Sequence, residues 1–371
     1  MAEILAVGTR KGLFLLKQGA GGARDIGQPA FLGVPVSMVA RRQGTEYLFA
    51  ALDHGHFGVK LHASADLGET WEERTAPAFP ADASPAKDGD KAPSVSLVWS
   101  LETAVRDGAP VLWAGTIPGG LFRSDDEGES WALVRGLWDK PERADWFGGG
   151  FDDPGIHSIC VDPRGSGHLA VASSLGGVWR SEDSGETWTA ACKGLWAAYV
   201  PPERREDPAY QDPHRVVQCP TAPDTFWMQH HNGIFHSDDN AKTWQQIEPV
   251  PVSDFGFAVA VHPADPRTAW FVPAVADEKR VPVDGAVTVL KTEDAGRSFV
   301  EQRDGLPQTD AYDLVFRHGL DVSADGTTLA MGSTTGSLWI GEEGGAHWSC
   351  VAAHLPPIYC VRFLPDCRCR R

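Results

Sequence analysis

The sequence predicts an all-β chain folded as a seven-bladed β-propeller. Two observations carry that expectation. One is a turn motif, Ser-x-Asp-x-Gly-x-Thr-Trp, complete at residues 181–188 and repeated along the 371 residues. The other is the order of the apolar runs between the copies, whose missing first member turns up at the opposite end of the chain.

The motif reads as a tight turn between two strands. Asp183 is placed to accept bonds from backbone N–H groups, Gly185 allows positive φ, Thr187 ties the turn down and Trp188 buries a large ring. Further copies lie at 64–71, 124–131, 237–244 and 292–299, with a worn one at 341–348. Their closing aromatics, Trp71, Trp131, Trp188, Trp244, Phe299 and Trp348, are spaced by 60, 57, 56, 55 and 49 residues. A regular step of about 50 residues marks a repeat architecture, most often a propeller.

Each repeat holds four strands. In the copy ending at Trp188 these are 156–161, 168–173, 177–181 and 187–189. Matching second and third strands lie at 111–116 with 120–123, at 225–229 with 233–236, and at 329–333 with 337–340. Residues 4–9 and 12–16 match the same two strands, yet no inner strand precedes them; the apolar run 358–363 supplies it. Pairing of the two ends closes the ring and hides two sheet edges. The count is then seven blades, with six as the alternative. A single domain over 1–366 is expected, followed by a basic, disordered tail at 367–371.

Composition narrows the function. A net charge of −17 argues against nucleic acid and anionic membrane as partners. The N-terminus lacks the basic-then-apolar pattern of a secretory leader, and no apolar run approaches the ~18 residues of a membrane span. The seven cysteines are odd in number, and Cys160, Cys219 and Cys360 fall in apolar strands. Buried reduced thiols and a cytoplasmic location are the expectation. Cys367 and Cys369 belong to the tail.

The longest insertions are 73–94, 135–155 and 193–213, between outer and next inner strands, and 274–285, between second and third strands. All four reach the face opposite the motif turns, where they build up the mouth of the central channel. His54, His56, His157, His214, His230 and His231 map to that end. Neutral imidazoles there suit acid–base catalysis or a divalent metal ion, with His54 and His230 as ligands. Asp152, Asp153, Asp212 and Asp254 are placed to orient them. Arg10, Lys11, Arg204, Arg205, Lys279 and Arg280 suit an anionic ligand. Among the loop aromatics (Trp99, Trp138, Trp146, Phe147, Trp196, Tyr199 and Tyr210), Trp146 is a candidate stacking surface for a sugar. Glycoside hydrolysis requires two facing carboxyls. Asp152, Asp153, Glu203, Asp254, Asp310 and Asp313 are the candidates.

The turn motif resembles the Asp box of the sialidase-like (BNR) β-propellers, and the resemblance covers nearly the whole chain. In that family the boxes lie on outer turns away from the ligand face. The whole-chain pattern is similar to bacterial BNR-repeat proteins often labelled glycosyl hydrolase or exo-alpha-sialidase. They share openings like Val7-Gly8-Thr9-Arg10-Lys11-Gly12-Leu13-Phe14 and stretches like Gln229-His230-His231-Asn232-Gly233-Ile234. A true exo-sialidase is not implied. Ile117-Pro118 follows Thr116 instead of completing that family's Arg-Ile-Pro motif, and no arginine triad or tyrosine nucleophile can be matched. The resemblance implies a propeller that binds a small polar ligand, a saccharide or organic anion, at the mouth, with hydrolase or lyase chemistry from the histidine and carboxylate cluster. The alternative is a protein-binding scaffold, as in the photosystem assembly factors and sortilin-type receptors that share the resemblance.

Overall fold

A computed structural model describes residues 4–18, 24–42, 44–84, 92–106 and 108–364. Its 28 strands form seven antiparallel sheets of four, the blades of a propeller. Six blades are continuous in sequence. The first is composite: the C-terminal strand Ile358–Leu364 pairs with Ile4–Thr9, followed outward by Gly12–Gln18 and Arg24–Ile26. Both the count of seven and the closure by the two ends match the sequence reading. Cys367 and Cys369 lie outside the described residues.

The fourth blade shows how the pattern makes the element. Ile156–Val161, Leu169–Ser173 and Gly177–Ser181 are almost wholly buried, and the outer Thr189–Ala190 is exposed. The three inner strands are sandwiched by neighbouring blades, so they read as apolar runs without alternation. Trp113 of the third blade, with Trp179 and Trp188 of the fourth, joins one core between these two blades. Trp179, Trp227 and Trp270 are each under 2 % exposed. At roughly 25 cal/mol per Å² over the 150–250 Å² an aromatic side chain buries, each ring stabilises the packing by several kcal/mol.

The motif turns are hydrogen-bonded as the residue types require. Asp183 accepts from the backbone N–H and the hydroxyl of Thr187 at 2.8 and 2.5 Å, and from the Ser181 hydroxyl at 2.8 Å. Gly185 (φ 91°) donates to Ser181 Oγ at 2.8 Å, and the Trp188 indole donates to Gly185 O at 2.9 Å. Asp66, Asp126, Asp239 and Asp294 repeat the pattern. All five carboxyls are held below the ordinary aspartate value; for Asp183 the Thr187 hydroxyl is the largest cause, to about 2. These aspartates are fully engaged in closing turns.

Candidate functional site

The inner strands enter from the mouth, and near the start of six of them the regular ladder is interrupted. The register slips by one residue between Val36 and Met38, Val98 and Ser100, Ile156 and Ser158, Pro213 and Arg215, Gly256 and Val259, and at Tyr359 opposite Gly8 and Thr9. A β-bulge frees one residue from pairing and re-aims its side chain. Six blades therefore present Ser37, Trp99, His157, His214, Phe257 and Tyr359 at one level of the channel. Arg317, just before the seventh inner strand, Leu320–Val322, completes the set. Ring contacts link its members: Trp99 to His157 (5.4 Å), His214 to Phe257 (4.5 Å, stacked), and the Arg317 guanidinium to both Trp99 (4.8 Å) and Phe257 (5.4 Å).

A cavity of about 280 Å³ opens on one side of this ring. Ser37, Trp99, Arg317 and Tyr359 line it from the blades; Gly150, Phe151 and Arg280 line it from two of the long insertions. Phe316, His318, Leu97 and Asp53 complete the wall. His318 Nε2 donates to His157 O at 2.8 Å and Arg215 Nη1 donates to the same carbonyl at 3.1 Å, so side chains bridge the channel beneath the ring. A separate space of about 350 Å³ lies at the other end, lined by Glu102, Arg215, Asp321 and Arg362 among others, and there Arg362 pairs with Glu102. A concavity of about 570 Å³ lies between the first two blades; its charged residues, Lys17 and Glu69, pair with each other at 2.6 Å.

Arg317 has the most unusual environment in the cavity. No hydrogen bond or ion pair reaches it among the described residues, and its Nε is buried without a partner. Burial pulls the guanidinium down to about 10, more strongly than Asp212 holds it up. Arg280, by contrast, is paired with Asp277. A cation held between aromatic faces and unmet by a carboxylate is a receptor for an anionic group.

Beside the cavity, behind Phe257, lies a second cluster. Asp212 Oδ2 is 3.5 Å from His214 Nε2 and 3.4 Å from His231 Nδ1. Burial opposes ionisation of Asp212, but His214 and His231 hold its carboxyl well below the usual range. Burial lowers His214. In His231 burial also acts downward, yet the Asp212 hydrogen bond and charge outweigh it and the imidazole is raised.

The other predicted residues separate from this geometry. His54 is half-buried and His56 exposed, both at the 3-10 turn Gly55–Phe57. His230 is wholly buried, and the backbone N–H groups of Asp212 and Asn232 approach its two ring nitrogens, each at 3.1 Å. Its lone pair is thus spent on the backbone, and burial lowers it to about 3. The His54–His230 metal pair is corrected on this ground: among the described residues, the donors that converge are Asp212, His214 and His231. His157 is wholly buried with Nδ1 on Ser158 Oγ at 3.0 Å, which corrects its reading as a catalytic residue. Trp146 is 4 % exposed and packs on Trp179, so it belongs to the core and is no stacking surface. Asp153, Asp254, Arg10 and Lys11 are exposed. Arg10 acts electrostatically on Tyr359 of the cavity wall, whereas Asp254 presents its backbone carbonyl to Gln229. Arg317 and His318 escaped the sequence reading because they precede the seventh inner strand, Leu320–Val322, and no local pattern marks them.

Comparison with known proteins places the architecture. No family model matches the chain. A xyloglucanase from Paenibacillus sp. is 26 % identical over an alignment of 233 residues that covers 55 % of this chain and 20 % of that protein. The structure of the GH74 xyloglucanase from Xanthomonas campestris matches with a TM-score of 0.64 at 16 % identity, covering 95 % of this chain and 53 % of that one. The protein YCF48, solved bound to D1 peptide, matches with a TM-score of 0.51 at 13 % identity, over 85 % of this chain and 80 % of that one. The chain thus shares its propeller fold with GH74 xyloglucanases, and it spans about half the length of the solved xyloglucanase and a fifth of the curated one.

Proposed function

We propose that this sialidase-like propeller binds a small organic anion, such as an acidic saccharide, in the mouth cavity. Arg317 receives the anionic group. Trp99 and Phe151 offer ring faces to the apolar side of the ligand, and Ser37, Asp53 and Tyr359 offer polar groups to hydroxyls. The observation that carries the reading is the unpaired Arg317 guanidinium facing a lined cavity. Xyloglucanase similarity supports a saccharide as the ligand class. The wall of the cavity contains one carboxylate, Asp53, which accepts the Gly55 N–H at 3.1 Å. Two-carboxylate glycoside hydrolysis requires a facing pair, so the cavity supports binding in preference to that chemistry. Thermal-shift and calorimetric titration with uronic acids, small dicarboxylates and the matching neutral sugars test the proposal. Anions should bind the parent and not Arg317→Gln; equal binding by both proteins, or preference for neutral sugars, rejects it.

A second reading, docking of a polypeptide on the same face, is favoured by the exposed apolar residues. Of nine large ones among the described residues, seven lie in mouth-face connections: Leu32, Phe57, Phe147, Phe151, Tyr199, Val275 and Tyr312. The other two, Val105 and Val300, lie elsewhere. Cross-linking in cell extract, compared between the parent and a Phe57→Ser/Tyr312→Ser variant, would reveal a partner lost with those rings.

A further inference from the structure

We propose that Asp212, His214 and His231 form a binding site for one divalent transition-metal ion, distinct from the anion pocket at Arg317. Each offers one ligand atom, and the three atoms lie within 4.8 Å of one another. Two imidazoles and one carboxylate are a donor set suited to Zn²⁺, Fe²⁺, Co²⁺ or Mn²⁺.

The hydrogen bonding around the cluster points to a cation. His214 Nδ1 lies 2.6 Å from Gly256 O. A carbonyl can only accept, so Nδ1 carries the proton and the neutral ring turns the lone pair of Nε2 toward Asp212 Oδ2, 3.5 Å away. In that neutral state Nε2 offers the carboxylate no hydrogen, and a cation between the two atoms would satisfy both lone pairs. Gly256 thereby fixes the tautomer that a metal needs, as partners of metal-bound histidines commonly do. The second carboxylate oxygen, Asp212 Oδ1, is buried with no hydrogen-bond partner. A buried, unmet carboxylate oxygen is destabilising unless a cation or solvent satisfies it.

The distances suit an ion as well. Metal bonds of about 2.0–2.1 Å at tetrahedral angles place ligand atoms about 3.3–3.4 Å apart. The separations of Asp212 Oδ2 from His214 Nε2 and His231 Nδ1 are 3.5 and 3.4 Å.

The supporting shell is built from the chain itself. Asp212 ends the long insertion and is held to the hairpin by its own N–H on His230 Nε2 (3.1 Å) and its carbonyl on the His231 N–H (2.9 Å). His230 is therefore a positioning residue. Phe257 stacks on His214, and Tyr199 and Phe255 pack edge-on against His231. Asp277 and Glu278 add negative charge near His231, opposing the positive field of Arg317 on Asp212.

The test uses the full chain without a polyhistidine tag. Apo-protein is loaded with Zn²⁺ or Co²⁺, freed of excess metal and analysed by ICP-MS, with the d–d absorbance of the Co²⁺ form as a second readout. About one equivalent is expected in the parent, with binding weakened at least 10–100-fold in His231→Gln and Asp212→Asn. His231 is partly exposed, so His231→Gln keeps the test decisive if Asp212→Asn fails to fold. Arg317→Gln should keep the metal, which separates this proposal from the anion reading. Less than about 0.1 equivalent in the reconstituted parent with no rise in Tm, or undiminished metal in a folded His231→Gln protein, overturns it.

Discussion

Replacing Arg317 by methionine should abolish ligand binding without weakening the fold. The guanidinium falls from 12.5 to about 10, chiefly through burial. At about 1.4 kcal/mol per tenfold change, the charged group is disfavoured inside the cavity by roughly 3 kcal/mol, an upper figure because the cavity admits solvent. Its contacts with Trp99 and Phe257 return about 0.5–2 kcal/mol each. Methionine keeps most of the length and the ring contacts while removing the charge. The ligand-free variant should therefore be as stable as the parent or up to about 2 kcal/mol more stable, a rise in Tm of a few degrees. Ligand at 100 times its Kd should add about 2.7 kcal/mol to the parent and nothing to the variant. Thermal and denaturant unfolding, each with and without ligand, measure all four states. A loss of more than about 1 kcal/mol in the ligand-free variant would show that Arg317 is held for the fold and not for a ligand.

Other outcomes follow from the same geometry. Ending the chain at Leu355 removes Ile358, Cys360, Val361, Phe363 and Leu364, all at most 7 % exposed; at roughly 1.5–3 kcal/mol for each large side chain this approaches the whole stability of a domain, so no cooperative transition should be seen by circular dichroism. Gly336 has φ 93°, and a Cβ there would lie 1.8 Å from Leu355 O; Gly336→Ala should cost about 3 kcal/mol or more in denaturant unfolding, whereas Gly150→Ala, in open space, should cost little. Acid should act early. Burial depresses His157, His230 and His318, so their stabilising contribution is complete above pH 6.5 and is lost as pH falls below it toward their folded values; between pH 6.5 and 5.5 the protein should lose roughly 2–3 kcal/mol. The motif aspartates act lower: Asp183, at about 2, contributes above pH 3.8 and is lost between there and 2. A flat stability profile from pH 7 to 5 would contradict the neutral buried state of these histidines.

The ring of blades was legible because each repeat marks itself with a turn whose carboxylate, hydroxyl, glycine and aromatic must keep fixed spacing. Closure was legible for a similar reason: the strand missing before Ile4 has only one counterpart, at Ile358. The site was legible in part. Counting strands put His157 and His214 at the channel mouth, and the insertions pointed to Arg280. What the sequence hides is direction. His230 and His231 are neighbours in one hairpin, yet one is locked between backbone amides and the other faces a carboxylate. Trp146 sits in a long loop and still packs into the core. Arg317 gains its role from facing aromatic rings on two other blades, a relation set by the radius of the ring and by no local pattern.

The most direct test of the central claim is a crystal structure of the protein soaked with the anion that gives the largest thermal shift. The ligand should lie in the mouth cavity, its anionic group within hydrogen-bond distance of Arg317 and its body against Trp99 or Phe151. Density at the motif turns or in the space beside Glu102 and Arg362, with the mouth cavity holding solvent alone, would contradict it.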